Sequence, residues 1–232
     1  MKRVDIVNAI YNAYDEDARL TKSLNGQLES ITTMRYIHAL LPEGARVLEV
    51  GAGTGRYSVA LAREGYDVSA VELVERNLET LRENAKGLEN LAATQGDATN
   101  LGAFPDDAFD AVLLLGPMYH LYAPGDWNRA LDEAIRVTKP GGLIFTAFLS
   151  VYAILYANYL SGNFREGLAE NFDGDFRVRH FEEQGFTGFD ISEFEALFDG
   201  KPVREIALAG TDSVLELAKR TDGFSLPDEE FE

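Results

Sequence analysis

Three glycines at alternating positions, Gly51, Gly53 and Gly55, follow the short apolar run Val47, Leu48 and Val50, with the acidic Glu49 inside it. Glycines directly after a buried strand let the chain turn sharply and let a ligand approach with no Cβ in the way. Glu72 closes a second apolar run about 20 residues past the loop, where a carboxylate can accept hydrogen bonds from ribose hydroxyls. Asp97, next to Gly96, follows a third run. The string GPMYHLY at 116–122 then supplies Tyr119 and His120, and histidine is the commonest general base near neutral pH. Taken singly, each residue also has a plainer use: Glu72 as a solvated strand end, Asp97 as a turn residue, His120 as a loop cap or packing group.

Regular elements must carry these residues to one place. Leu28, Ile31, Ile37 and Leu41 recur at helical spacing until Pro42 and Gly44 stop them. The pattern then predicts a strand over 47–50, a helix over 57–64 ended by Gly65, and a strand over 67–71. A helix over 74–85, a weak strand over 92–95 and a strong strand over 111–115 come next. A helix over 126–138, the breaker Pro140, Gly141 and Gly142, and a strand over 143–148 continue the alternation. Such alternation gives an α/β fold with a doubly wound, mostly parallel sheet and helices on both faces. Ligands bind such sheets at the carboxyl ends of the strands, where residues 51–55, Glu72, Asp97 and residues 116–120 all fall. Past Phe148 the pattern loosens into an aromatic, loop-rich stretch over 150–189, a helix over 191–198 and a strand over 203–208.

Bulk composition narrows the partners. The 232 residues carry 21 Lys and Arg against 39 Asp and Glu, a net charge of -18. A surface so negative repels phosphate backbones, so neither nucleic acid nor an anionic membrane is an expected partner. There is no cysteine, and His38, His120 and His180 lack ligand spacing, so no metal site is expected. The N-terminal stretch acquires Asp5, Asp15, Glu16 and Asp17 in place of an apolar core, so it does not read as a signal peptide and the cytoplasm is the expected compartment. The apolar stretch over 145–160 is too short for a membrane span and reads as a buried strand followed by a helix.

The string VLEVGAGTGRYS at 47–58 resembles motif I of the class I S-adenosylmethionine-dependent methyltransferases, an acidic residue, one further residue, then G-x-G-x-G. AVELVERNLE from Ala70, GDATNL from Gly96, FDAVLLLGPMYHLY from Phe109 and RVTKPGGLIFTAF from Arg136 fall where that family has its later motifs. The string at 116–121 is similar to the GP-[LM]-YHL string of bacterial small-molecule methyltransferases. The resemblance implies a Rossmann-like methyltransferase domain, an enzyme with S-adenosylmethionine as cofactor. Glu49, Gly51, Ala52, Gly53, Gly55, Glu72, Leu73, Asp97, Ala98, Leu115 and Gly116 would hold the cofactor. Glu72 would take the ribose, Leu73 the adenine face, Asp97 and the Ala98 amide the adenine edge, and Leu115 and Gly116 the methionine part. Tyr11, Tyr14 and Arg19 would belong to an N-terminal helical lid, Tyr14 and Arg19 touching the cofactor. His120 would be the base, with Tyr119 orienting or stacking.

That reading divides a single methyltransferase domain, 1–232, into the lid at 1–42, the cofactor-binding core at 43–150, a substrate-cap insertion at 151–190 and a C-terminal helix and strand at 191–232. Tyr152, Tyr156, Tyr159, Phe164 and Phe172 are placed to roof the substrate. The acceptor is a small molecule methylated on oxygen, nitrogen or carbon, because GPMY stands where base-amino methyltransferases carry [DNS]-PP-[YFW]. The family's closing antiparallel hairpin is incomplete: no seventh strand is evident, and residues 176–181 are one candidate to fill the edge. Two other readings stay open, a cofactor-binding sensor or partner subunit without turnover, and a nicotinamide-dependent reductase. Arg56 at the third position of G-x-G-x-x-G disfavours the latter.

Overall fold

Ala111 and Leu113 face one side of a strand and Val112 and Leu114 the other, and all four are fully buried. That two-sided burial requires a layer of helices on each face. The computed structural model, which describes residues 3–13, 24–181 and 184–211, has this arrangement.

Two helices, α1 (Arg3–Ala13) and α2 (Leu24–Leu40), precede the sheet. The core then alternates β1 (Arg46–Val50), α3 (Arg56–Arg63), β2 (Asp67–Glu72), α4 (Glu75–Asn84), β3 (Leu91–Gln95), β4 (Phe109–Leu114), a 3-10 turn Pro117–His120, α5 (Pro124–Val137) and β5 (Thr138–Thr146). All pairings are parallel, in the order β3-β2-β1-β4-β5. On one face Leu48, Val50, Val112 and Leu114 pack against Trp127, Ala130, Leu131 and Ala134 of α5. On the other, Val47, Ala111 and Leu113 meet Ile37 of α2 and Tyr57 and Leu61 of α3. Each fully buried side chain of this size contributes about 1.5–3 kcal/mol. The chain winds outward from β1 through β2 to β3 and then restarts at β4 on β1's other side. The crevice past the carboxyl ends of β1 and β4 is therefore the switch point of the sheet.

Beyond β5 come β6 (Leu149–Ser150), α6 (Val151–Leu160), α7 (Phe164–Asn171), β7 (Gly188–Phe189) and α8 (Ile191–Ala196), with β6 and β7 paired in a separate parallel ladder. The stretch expected to be loop-rich thus holds two helices, the first of them the helix expected to end the apolar stretch over 145–160. Residues 203–208 form no strand: Val203, Ile206 and Leu208 are exposed, with no strand among the described residues paired to them, and strand preference needs such a neighbour. Residues 176–181 do not fill the edge either; Val178 bridges Phe172 alone, and among the described residues β5 is the edge of the main sheet. The Pro140-Gly141-Gly142 breaker lies inside β5, where the register jumps from Phe109↔Thr138 to Ala111↔Leu143. A Cβ on Gly142 would lie 2.8 Å from the Asp110 carbonyl oxygen, so this irregularity requires glycine. No described helix is long and apolar enough to cross a membrane.

Candidate active site

The loop after β1 is pinned by two backbone bonds, from Gly51 N at 2.8 Å and Ala52 N at 3.0 Å to the carbonyl of Val71 at the end of β2. Gly51 has a φ of 74°, and a Cβ there would sit 2.8 Å from the Pro117 ring, so the loops after β1 and β4 meet only because no side chain intervenes. Gly55 has a different task. Its missing Cβ makes room for Leu81 of α4, and it does not line the cleft.

Glu72, almost fully buried, is oriented by the backbone. Gly53 N donates to Oε2 at 2.7 Å and Val74 N to Oε1 at 2.8 Å, while each carboxylate oxygen can accept a further bond. Glu49 is more deeply buried and accepts from the Ser58 hydroxyl. Burial pushes its carboxyl up to about 8, against the hydrogen bonds from Ser58, and the nearby Glu72 adds to the rise.

Asp97 is both a turn residue and a cleft residue. Oδ1 accepts from Thr99 N at 3.0 Å and Thr99 Oγ1 at 2.9 Å, and Oδ2 pairs with Arg3 of α1. Burial raises its pKa, but the Thr99 bonds and the Arg3 charge outweigh it and hold the carboxyl below the ordinary value.

His120 is buried at the end of the 3-10 turn. Its Nδ1 lies 2.9 Å from the Gly185 carbonyl, which can only accept, so Nδ1 carries the proton and donates it. Nε2 is then the acceptor, and the Tyr11 hydroxyl, 2.8 Å away, donates to it. Burial lowers the imidazole to about 4, the Gly185 bond works against that, and Arg3 adds to the lowering, so the ring is neutral at pH 7. Tyr119 stands edge-on to His120 with centroids 4.9 Å apart, and Phe186 packs 4.7 Å from the same ring.

These groups line one cleft. Of the residues expected from the sequence, Glu49, Gly51, Ala52, Gly53, Glu72, Leu73, Asp97, Ala98, Leu115, Gly116, Tyr119 and His120 line it, with Tyr11. Tyr14 and Arg19 lie outside the described residues. The expected roof is not there: Tyr152, Tyr156, Tyr159 and Phe164 are exposed on α6 and α7, and neither they nor Phe172 line the cleft. Arg3 and Val7 of α1, Glu29 of α2 and Asn77 of α4 line it without having been anticipated. Asn77 left one trace, a polar residue on the face of α4 that buries Leu78 and Leu81.

Residues 47–142 match the family described as methyltransferase domain. A demethylmenaquinone methyltransferase of Clavibacter sepedonicus is 37% identical over 135 residues, 58% of this chain and 53% of that protein. The chain spans about half the length of the first curated relatives it matches. Among solved structures, a Pyrococcus horikoshii protein aligns with a TM-score of 0.58 at 22% identity, over 79% of this chain and 88% of the other. A SAM-dependent methyltransferase of Methanosarcina mazei aligns with a TM-score of 0.55 at 22% identity, over 70% and 81%. Both share the fold.

Proposed function

Starting from a chain whose residues 47–142 match a methyltransferase domain, we propose that it is a class I S-adenosylmethionine-dependent methyltransferase that transfers the cofactor's methyl group to an oxygen, nitrogen or carbon atom of a small molecule beside His120. One observation carries the reading: the glycine loop, the backbone-held Glu72 and the Asp97 turn line the same cleft as the neutral His120.

The cleft suits this cofactor. Gly51 leaves the space a Cβ would fill, Glu72 has acceptor capacity toward ribose hydroxyls, and the raised Glu49 carboxyl is poised to ionise against an ammonium group. On the family's pattern Leu73 would flank the adenine, Asp97 and the Ala98 amide would meet its edge, and Leu115 and Gly116 would border the methionine part. When bound, the cofactor supplies an activated methyl group on a sulfonium.

This chain's residues then have two tasks. Alignment of the acceptor with the methyl group supplies about 7–11 kcal/mol of the barrier by positioning alone. Removal of the acceptor's proton falls to His120, whose Nδ1–H is committed to Gly185 and whose Nε2 points to the Tyr11 hydroxyl. An acceptor bonded to that hydroxyl would pass its proton to the Tyr11 oxygen as Tyr11 gives its own to Nε2. The net charge of -18 favours a small acceptor over nucleic acid, and demethylmenaquinone, named for the Clavibacter sepedonicus relative, is the first acceptor to test.

Calorimetric titration with S-adenosylmethionine and S-adenosylhomocysteine tests the reading. Micromolar binding to the wild-type chain is expected, weakened about 100-fold in Glu72→Ala and Asp97→Ala, the scale of losing charge-assisted hydrogen bonds. Absence of binding to the folded wild-type chain would overturn it.

A further inference from the structure

Behind the cleft, residues 185–189 run past His120 and hold the site through Gly185 and Thr187 as well as the Phe186 ring. The Gly185 carbonyl accepts from His120 Nδ1 at 2.9 Å and from the Tyr122 hydroxyl at 2.7 Å. Thr187 N donates to the Tyr119 carbonyl at 2.9 Å. The tautomer that makes Nε2 an acceptor therefore depends on where this short segment lies.

The segment is gripped from its far side. Thr187 is fully buried, and its Oγ1 lies 2.6 Å from Nδ1 of His180. Nε2 of His180 donates at 2.9 Å to Oε1 of Glu193, near the start of α8. The other oxygen, Glu193 Oε2, is buried with no hydrogen-bond partner among the described residues. The His180 ring is wedged edge-on against Trp127 at 4.6 Å and tilted against Phe189 at 5.0 Å. Trp127 in turn donates from Nε1 to the carbonyl of Leu121, the residue after His120. His180 does not line the cleft, yet two of its contacts, Thr187 and Trp127, lead to the backbone on either side of His120, at Tyr119 and Leu121.

We propose that His180, clamped by Glu193, is a positioning residue: through Thr187 it holds residues 185–187 against Tyr119 and His120 and so fixes His120 as the Nδ1–H tautomer with Nε2 available to accept a proton. The proposal rests on the base role given to His120, and its own readout needs no turnover.

The chain has three histidines, so imidazole nitrogen NMR of the full-length protein resolves each ring. Wild-type His120 is expected in the Nδ1–H form. Thr187→Val removes the hydroxyl and keeps the shape; His180→Phe keeps the ring packing and loses both hydrogen bonds. Each is expected to shift the His120 tautomer ratio roughly tenfold toward Nε2–H, the worth of one hydrogen bond, with Thr187→Ser restoring it. Glu193→Gln, at a partly exposed position, is the mild variant and is expected to shift the ratio the same way by less. Methyl transfer should fall in step through kcat, with S-adenosylhomocysteine affinity unchanged. An unchanged His120 tautomer in Thr187→Val, or in Glu193→Gln should the others fail to fold, overturns the proposal. Loss of S-adenosylhomocysteine binding by the wild-type chain would overturn the methyltransferase reading instead and leave the NMR result standing.

Discussion

The Tyr11 hydroxyl on α1 sits 2.8 Å from Nε2 of His120, 109 residues away in the chain, so the acceptor face of the imidazole is met by the N-terminal helix. The pair acts as a unit if the proposed proton path holds. His120→Gln should then lower methyl transfer by about 100- to 10,000-fold, and Tyr11→Phe by a smaller factor. The double variant should lose little beyond His120→Gln alone, because groups in one path are not additive. Steady-state rates of the three variants decide it, and fully additive losses would break the link.

Gly51 and Gly44 have nearly the same backbone angle, φ 74° and 70°, but different surroundings. A Cβ on Gly44 meets nothing within 4 Å, while one on Gly51 meets Pro117 at 2.8 Å. Gly44→Ala should cost only the left-handed strain, about 1–2 kcal/mol. Gly51→Ala should cost more in urea unfolding and also abolish cofactor binding. Equal effects at both sites would mean that the close approach of the two loops has no energetic role.

Two buried groups give stability opposite dependences on pH. Glu49 is raised from 4.5 to about 8 on folding, so the folded chain holds a proton the unfolded chain has lost, and stability falls as pH rises from about 4.5 to 8. His120 is lowered from 6.5 to about 4, so its contribution is fully present above 6.5 and is lost as pH falls toward 4. In wild type the two slopes oppose each other between about pH 4.5 and 6.5, so unfolding midpoints measured from pH 4 to 8 should become flat above pH 6.5 in Glu49→Gln and should fall steadily from about pH 4.5 to 8 in His120→Gln. Profiles parallel to wild type in both variants would contradict these assignments.

Glu49 also predicts a proton count for binding. At pH 7 its carboxyl is mostly protonated, and an ammonium arriving beside it would lower its pKa and release that proton. Titrations of S-adenosylmethionine in buffers of different ionisation enthalpy should show release of close to one proton, absent in Glu49→Gln. Release that persists in the variant would assign it to another group.

The parts legible in the sequence were those with a local signature. Val47, Leu48 and Val50 before three glycines marked β1 and its loop, and the spacing to Glu72 carried over because β2 lies beside β1. Unreadable parts depended on partners distant in the chain. Nothing near Arg3 marks it as a partner of Asp97, 94 residues away. The helix α6, VYAILYANYL, was expected after the strand in the apolar stretch over 145–160, but it is apolar on all sides, so no periodicity told which face it would bury. Residues 203–208 had strand-like composition but pair with no strand among the described residues. Gly141 and Gly142 looked like a stop, but the sheet absorbs them as an irregularity within β5.

Arg3 and Tyr11 sit eight positions apart on α1, about 12 Å along its axis at 1.5 Å per residue, and both line the cleft. The helix is therefore a caliper with one jaw on Asp97 and the other on His120. If it must lift for the spent cofactor to leave, the stroke that frees Asp97 also strips His120 of its tyrosine, and recharging the site re-arms the base. Exchange at one end and chemistry at the other then share one moving part. Stopped-flow release of S-adenosylhomocysteine should accelerate whether the loosened jaw is Arg3→Ala or Tyr11→Phe, whereas a helix that stays seated would leave the Tyr11→Phe rate unchanged.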